Sequence, residues 1–132
     1  MGREKAVDQN VGILIADDFE PWRVKVRDLL QERPEWQILG EASDGLEAVQ
    51  MAVKLRPDVV ILDIAMPGQN GFEAARAIRS SSPKSRIIFL TEHTDKEIRD
   101  AAFVAGGDAY VIKSNAASDL INAIIKALTR VQ

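Results

Sequence analysis

Short β-branched apolar runs alternate with longer amphipathic stretches along this chain, five times over, and few folds accommodate that pattern. The apolar runs are VGILIA (11–16), WQILGEA (36–42), DVVILD (58–63), RIIFLT (86–91) and DAYVIK (108–113). After the first run, Pro21 suits a first helical turn, Trp22, Val26, Leu29 and Leu30 recur at helical spacing, and Pro34 closes the segment. Further helices are expected over SDGLEAVQMAVKLRP (43–57), NGFEAARAIRSSSP (70–83), DKEIRDAAFVAGG (95–107) and SNAASDLINAIIKALTR (114–130). The glycines ending the 95–107 segment suit a left-handed C-terminal cap. Strands that are apolar almost throughout belong in a parallel sheet covered on both faces. Five units are too few for a closed eight-fold barrel. The expected fold is therefore α/β, an open doubly wound parallel sheet.

At 132 residues the chain is sized for one domain, with residues 1–10 a polar, flexible segment and 11–132 the folded unit. Its net charge of −3 offers no basic footprint for nucleic acid and no polybasic patch for lipid. With no cysteine there are no disulfides, thiolate metal sites or cysteine nucleophiles. No apolar run approaches a membrane span, and the N-terminus lacks a signal-peptide core, so a cytoplasmic location is expected.

In open α/β sheets the functional crevice lies beyond the carboxyl ends of the strands. There the sequence puts Asp17 and Asp18 after the first run, and Asp63, Thr91 and Lys113 at the ends of the third, fourth and fifth. In the flavodoxin-like order 2-1-3-4-5 the first and third strands are neighbours, which gathers Asp17, Asp18 and Asp63 into one pocket. Clustered carboxylates repel one another unless a cation neutralises them. An oxygen-only site suits a hard divalent ion, Mg²⁺ before Mn²⁺ or Ca²⁺. A carboxylate beside such an ion and an ammonium can attack phosphorus to form an aspartyl phosphate. Asp63, with a loop after it, is the expected nucleophile, and Asp17 and Asp18 the metal ligands. Taken singly, the same aspartates read as caps or turn residues and Lys113 as a solvated lysine. Their joint occurrence at four strand ends favours the site.

These residues closely resemble the receiver domain of two-component response regulators. The resemblance runs from about Val11 to Leu128 and rests on LIADD, LDIAMPGQNG, the threonine ending IIFLT and the lysine ending AYVIK. It implies that Asp63 accepts a phosphoryl group from a sensor histidine kinase, and that the domain assists its own phosphorylation and dephosphorylation. It also implies direct Mg²⁺ binding by Asp18, Asp63 and the Ala65 backbone carbonyl, with Asp17 acting through water. Thr91 and Lys113 would hold the phosphoryl oxygens, and Tyr110 would be the aromatic switch that follows the threonine. Homodimerisation through the fourth helix, fifth strand and fifth helix is a further implication. The tail AYVIKSNAASDLINAI is similar to LuxR-like regulators, whose receivers precede a DNA-binding domain that has no counterpart in this chain. An excised receiver controlling transcription and a single-domain regulator both remain open.

The chain departs from the family pattern at Ser114, where many receivers have a proline after the lysine in a cis peptide. A cis bond before a residue other than proline costs about 3 kcal/mol. It departs again at Glu92, where many receivers have a small residue and where a carboxylate would bear on access to the phosphate. His93, the sole histidine, follows as a loop residue near enough to influence an attacking water. Ile98, Ala102 and Ala105 give the fourth helix a core stripe, with Phe103 and Val104 partly outside it. A Mg²⁺-dependent phosphatase of the haloacid dehalogenase type would carry a second acid where this chain has Ala65. A flavin- or nucleotide-binding module would have a Gly- or Ser/Thr-rich first loop in place of DDFEPW.

Overall fold

The computed structural model describes residues 10–130. Elements alternate throughout: β1 (Val11–Ala16), α1 (Glu20–Leu30), β2 (Trp36–Ala42), α2 (Gly45–Leu55), β3 (Val59–Leu62), α3 (Gly71–Ser81), β4 (Arg86–Thr91), α4 (Lys96–Val104), β5 (Ala109–Ile112) and α5 (Ala116–Thr129). All strand pairs are parallel, in the order β2-β1-β3-β4-β5, as the alternation predicts. The expectation of a flexible segment over residues 1–10 falls outside the described residues except at Asn10.

Period-2 alternation splits the core into two layers. Ile13, Ile15, Val59, Ile61, Ile88, Leu90 and Val111 pack with Val26 and Leu30 of α1 and with Leu120, Ile124 and Leu128 of α5. Leu14, Val60, Leu62, Ile87 and Phe89 face the opposite layer, where α2, α3 and α4 present Ala48, Ala52, Ala74, Ala75 and Ala102. Small helix residues opposite large strand residues let those helices sit close to the sheet. Burying a Leu or Ile side chain contributes roughly 1.5–3 kcal/mol, so these layers carry most of the stability.

Helix ends follow local chemistry. Asp44 caps α2 by accepting the Glu47 N–H at 2.8 Å. Asn70 and Glu73 form a reciprocal capping box at the start of α3. Pro21 lies in the first turn of α1, as expected. α4 is shorter than its sequence pattern, closing at Ala105 before Gly106 turns to φ +117°. α5 also starts later than expected, because Lys113–Asn115 forms a 3₁₀ turn first. No peptide bond among the described residues is cis, so Ser114 follows Lys113 through an ordinary trans link.

Candidate functional site: an acidic pocket with a buried lysine

Register brings the strand-end residues together. Ala16 pairs with Leu62, and each is followed by an aspartate, Asp17 and Asp63. The Asp63 N–H donates to the Ala16 carbonyl at 3.0 Å, locking the two chain exits side by side. Continuing the alternation of β1, β3 and β5 by one step places Asp17, Asp63 and Lys113 on the α1/α5 side of the sheet. Thr91 ends β4 beside Ile112 and continues the other layer, with Ile87 and Phe89.

Carboxylate oxygens of Asp17, Asp18 and Asp63 lie within 4.8 Å of one another. Asp17 and Asp63 are buried while Asp18 is exposed, so the cluster opens to solvent on the Asp18 side. Lys113, only 5% exposed, lies with its Nζ 2.8 Å from Asp17 Oδ2 and 3.1 Å from Asp63 Oδ2. The other oxygen of Asp63 accepts the Ile64 N–H at 2.7 Å. Asp17 Oδ1 accepts the Phe19 N–H at 2.9 Å, so Asp17 is a turn residue and a member of the cluster at once.

Burial pushes the Asp63 carboxyl above its ordinary range, and the charge of Asp17 adds to that. Lys113 pulls the other way without cancelling the effect. For Lys113, burial favours the neutral amine, but the two carboxylates together outweigh it and hold the ammonium above its usual pKa. Three carboxylates against one ammonium leave the pocket with an excess of negative charge. Oxygen donors, unneutralised charge and one open side fit a hard divalent cation.

The loop after β3 is held by close backbone approach. A Cβ on Gly71 would overlap the Asp63 carbonyl oxygen, and one on Gly45 would overlap the Gln69 carbonyl oxygen. Gly71 N–H also donates to the Ile64 carbonyl at 2.8 Å. The two glycines thus let α3 and α2 press directly against the chain on either side of the loop. Ala65 is exposed within it, two residues beyond Asp63.

Thr91 and Tyr110 are joined through the peptide of His93. Its N–H donates to Thr91 Oγ1 at 3.3 Å, and its carbonyl accepts the Tyr110 hydroxyl at 3.0 Å. Tyr110 is half-buried, with its ring centroid 6.5 Å from that of Phe103. Burial, then the charge of Asp95, pushes its hydroxyl pKa up. The side chains of Glu92 and His93 are exposed.

Two contributors escape a reading of the sequence. Trp22, which its spacing puts on the apolar stripe of the first helix, lies half-buried against the α1/α5 core with the Lys113 Nζ 5.0 Å from its ring centroid. Arg23 donates to the Asp17 carbonyl at 2.7 Å and to Glu41 at 3.0 Å, and Arg27 also pairs with Glu41. The only signal for either is position, in the first turn after the acidic pair.

Comparison with known proteins agrees with this geometry. The family described as "Response regulator receiver domain" matches residues 13–125. The transcriptional regulatory protein LiaR of Bacillus subtilis is 35% identical over 114 residues, covering 86% of this chain and 54% of LiaR. Protein CcdB of the same organism is 34% identical over 116 residues, covering 88% of this chain and 96% of CcdB. The crystal structure of a LuxR-family two-component response regulator from Aurantimonas sp. SI85-9A1 superposes with a TM-score of 0.86 at 34% identity, covering 91% of this chain and 86% of that one. The chain thus spans about half the length of LiaR and nearly all of CcdB.

Proposed function

This chain belongs to the response regulator receiver family, and from that premise we propose that it is switched by phosphorylation of Asp63 by a sensor histidine kinase. The observation that carries the reading is the environment of Asp63. It is a buried carboxylate, 3.1 Å from an ammonium and within 4.8 Å of two further carboxylates, at a strand end beside an open loop. Burial raises its basicity, which makes the ionised form a better nucleophile.

An ionised oxygen of Asp63 attacks the phosphorus of a phosphohistidine. The phosphorus–nitrogen bond breaks, the imidazole leaves with the electron pair, and an acyl phosphate remains on Asp63. Lys113 moves from the carboxylate to a phosphoryl oxygen, and the Thr91 hydroxyl donates to another. Asp18, Asp63 and the Ala65 carbonyl would hold Mg²⁺, or Mn²⁺, with Asp17 acting through water. Bound there, the ion neutralises charge on the phosphoryl oxygens.

A shift of Thr91 toward the phosphate loosens the His93 peptide and with it Tyr110, which biases α4. Phe103 and Val104, 41% and 84% exposed, support a partner surface on the α4–β5–α5 face for homodimerisation. Glu92 and His93 sit one and two residues beyond Thr91, where they set the phosphate's lifetime. We assign residues 11–132 to the receiver unit and place it in the cytoplasm, beside the kinase that would phosphorylate it. No helix among the described residues is long and apolar enough to cross a membrane. LiaR, named as a transcriptional regulator, supports an output through a DNA-binding domain. CcdB, of similar length to this chain, supports a receiver that acts alone. The length of the full gene product separates the two.

Incubation with acetyl phosphate and Mg²⁺, followed by intact mass spectrometry, tests the reading. One phosphoryl group is expected on the wild type and none on Asp63→Asn. Undiminished labelling of that variant overturns the assignment.

A further inference from the structure

We propose that Trp22 is a positioning residue for Lys113, acting through the face of its indole. This rests on the reading of Lys113 as the cation that meets the phosphoryl group. An ammonium has three N–H donors. Here two are directed at Asp17 Oδ2 and Asp63 Oδ2, at 2.8 and 3.1 Å. The Trp22 ring, 5.0 Å from Nζ, is a further neighbour of the same charge. That distance is within the range where an indole quadrupole attracts a cation, and the attraction is strongest where water is excluded. Lys113 is buried to that degree, at 5% exposure.

The geometry has a consequence for the chemistry. A lysine stem has four rotatable carbons, and its ammonium would otherwise keep water as a partner. An aromatic face supplies a cation-stabilising wall that neither accepts a proton nor competes as a strong hydrogen-bond acceptor. The ammonium keeps its charge and leans on the ring, so its donors stay aimed into the acidic pocket. Trp22 is placed for this by α1, whose next residue, Arg23, is fastened to the Asp17 carbonyl at 2.7 Å. Lys25, one helical turn on, also lies 5.2 Å from the same ring, but it is exposed and its contact is correspondingly weaker. Trp36, which carries Arg33, starts β2 opposite Val11, at the other end of the sheet from the site.

The test compares Trp22→Phe, which keeps a weaker ring face, with Trp22→Leu, which keeps apolar bulk and removes the ring. With acetyl phosphate and Mg²⁺, the initial rate of labelling should fall roughly five- to tenfold in the leucine variant and less than about threefold in the phenylalanine variant. In a Lys113→Gln background, Trp22→Leu should have no further effect, because it acts through the ammonium. The same fold-loss in both backgrounds, or equal rates for the leucine variant and wild type, overturns the proposal. Fluorotryptophan incorporation guards against misfolding, since fluorine drains the ring face without changing its shape. The rate should fall with each added fluorine while the far-UV circular dichroism spectrum stays that of the wild type, fluorination of Trp36 acting only at the far end of the sheet. A rate indifferent to fluorination overturns the role of Trp22 whatever the leucine variant does. Labelling that persists in Asp63→Asn instead overturns the site reading beneath it, so the two failures are distinct.

Discussion

Replacing Asp63, the proposed nucleophile, should make the protein more stable. Asp63 is 6% exposed, and its carboxyl pKa is raised above 3.8, burial being the largest cause and Asp17 a further one. A carboxyl whose folded pKa lies above its unfolded value favours unfolding once ionised. Stability is therefore lost as pH rises from the unfolded value through the raised folded value. Asp63→Asn removes the charge, keeps the shape, and retains an oxygen able to accept the Ile64 N–H. Lys113 loses one partner but keeps Asp17 at 2.8 Å. Because the raising causes outweigh the lowering ones, the net gain should be about 1 kcal/mol at pH 7 in the absence of divalent cations, within the usual range for relieving a strained functional site. For a domain of this size that raises the melting temperature by about 3–5 °C. The assay is urea unfolding of both proteins in EDTA at pH 7 and near pH 3. The gain should shrink at the lower pH, where wild-type Asp63 is protonated. A variant less stable than wild type at pH 7, or a gain that grows on acidification, would refute the electrostatic account.

Other consequences can be checked in the same way. Lys113→Gln leaves two buried carboxylates without their cation and should destabilise by about 3 kcal/mol at pH 7 in chelator. Since the Lys113 pKa is raised above 10.5, the wild type should also lose this contribution as pH climbs beyond that value, and the variant's alkaline loss should be smaller. Gly71→Ala drives a methyl into the Asp63 carbonyl and should cost about 2 kcal/mol in urea unfolding while slowing phosphorylation, because the displaced residue is Asp63 itself. Asp108 accepts the Ile87 N–H at 2.8 Å and Arg79 at 2.7 Å, so Asp108→Ala should lower stability by about 2 kcal/mol without altering Mg²⁺ affinity, measured by titration of Trp fluorescence.

The acidic pocket was legible in the sequence because strand ends are. The apolar runs stop where their charged residues begin, and parallel pairing carries those ends to one edge. Period-2 alternation then puts Asp17, Asp63 and Lys113 on one side, which follows from counting alone. Trp22 and Arg23 were not legible as site residues, because the rotation of α1 is set by how Val26 and Leu30 pack. Helical spacing identifies a buried stripe but not which strand end its first turn reaches. The bridge from Thr91 to Tyr110 escaped for another reason: it runs through the backbone of His93, and no side-chain pattern records a peptide's orientation. The ends of α4 and α5 shifted where Gly106 and a 3₁₀ turn intervene, a matter of local backbone rather than of periodicity.

The phosphoryl group should form on Asp63 and not on its acidic neighbours, Asp17 and Asp18. Borohydride reduces an aspartyl phosphate to homoserine, which peptide mass spectrometry can place in the chain. After phosphorylation and reduction, homoserine is expected at position 63, in the peptide spanning the β3–α3 loop. Homoserine at 17 or 18, with Asp63 unchanged, would contradict the account.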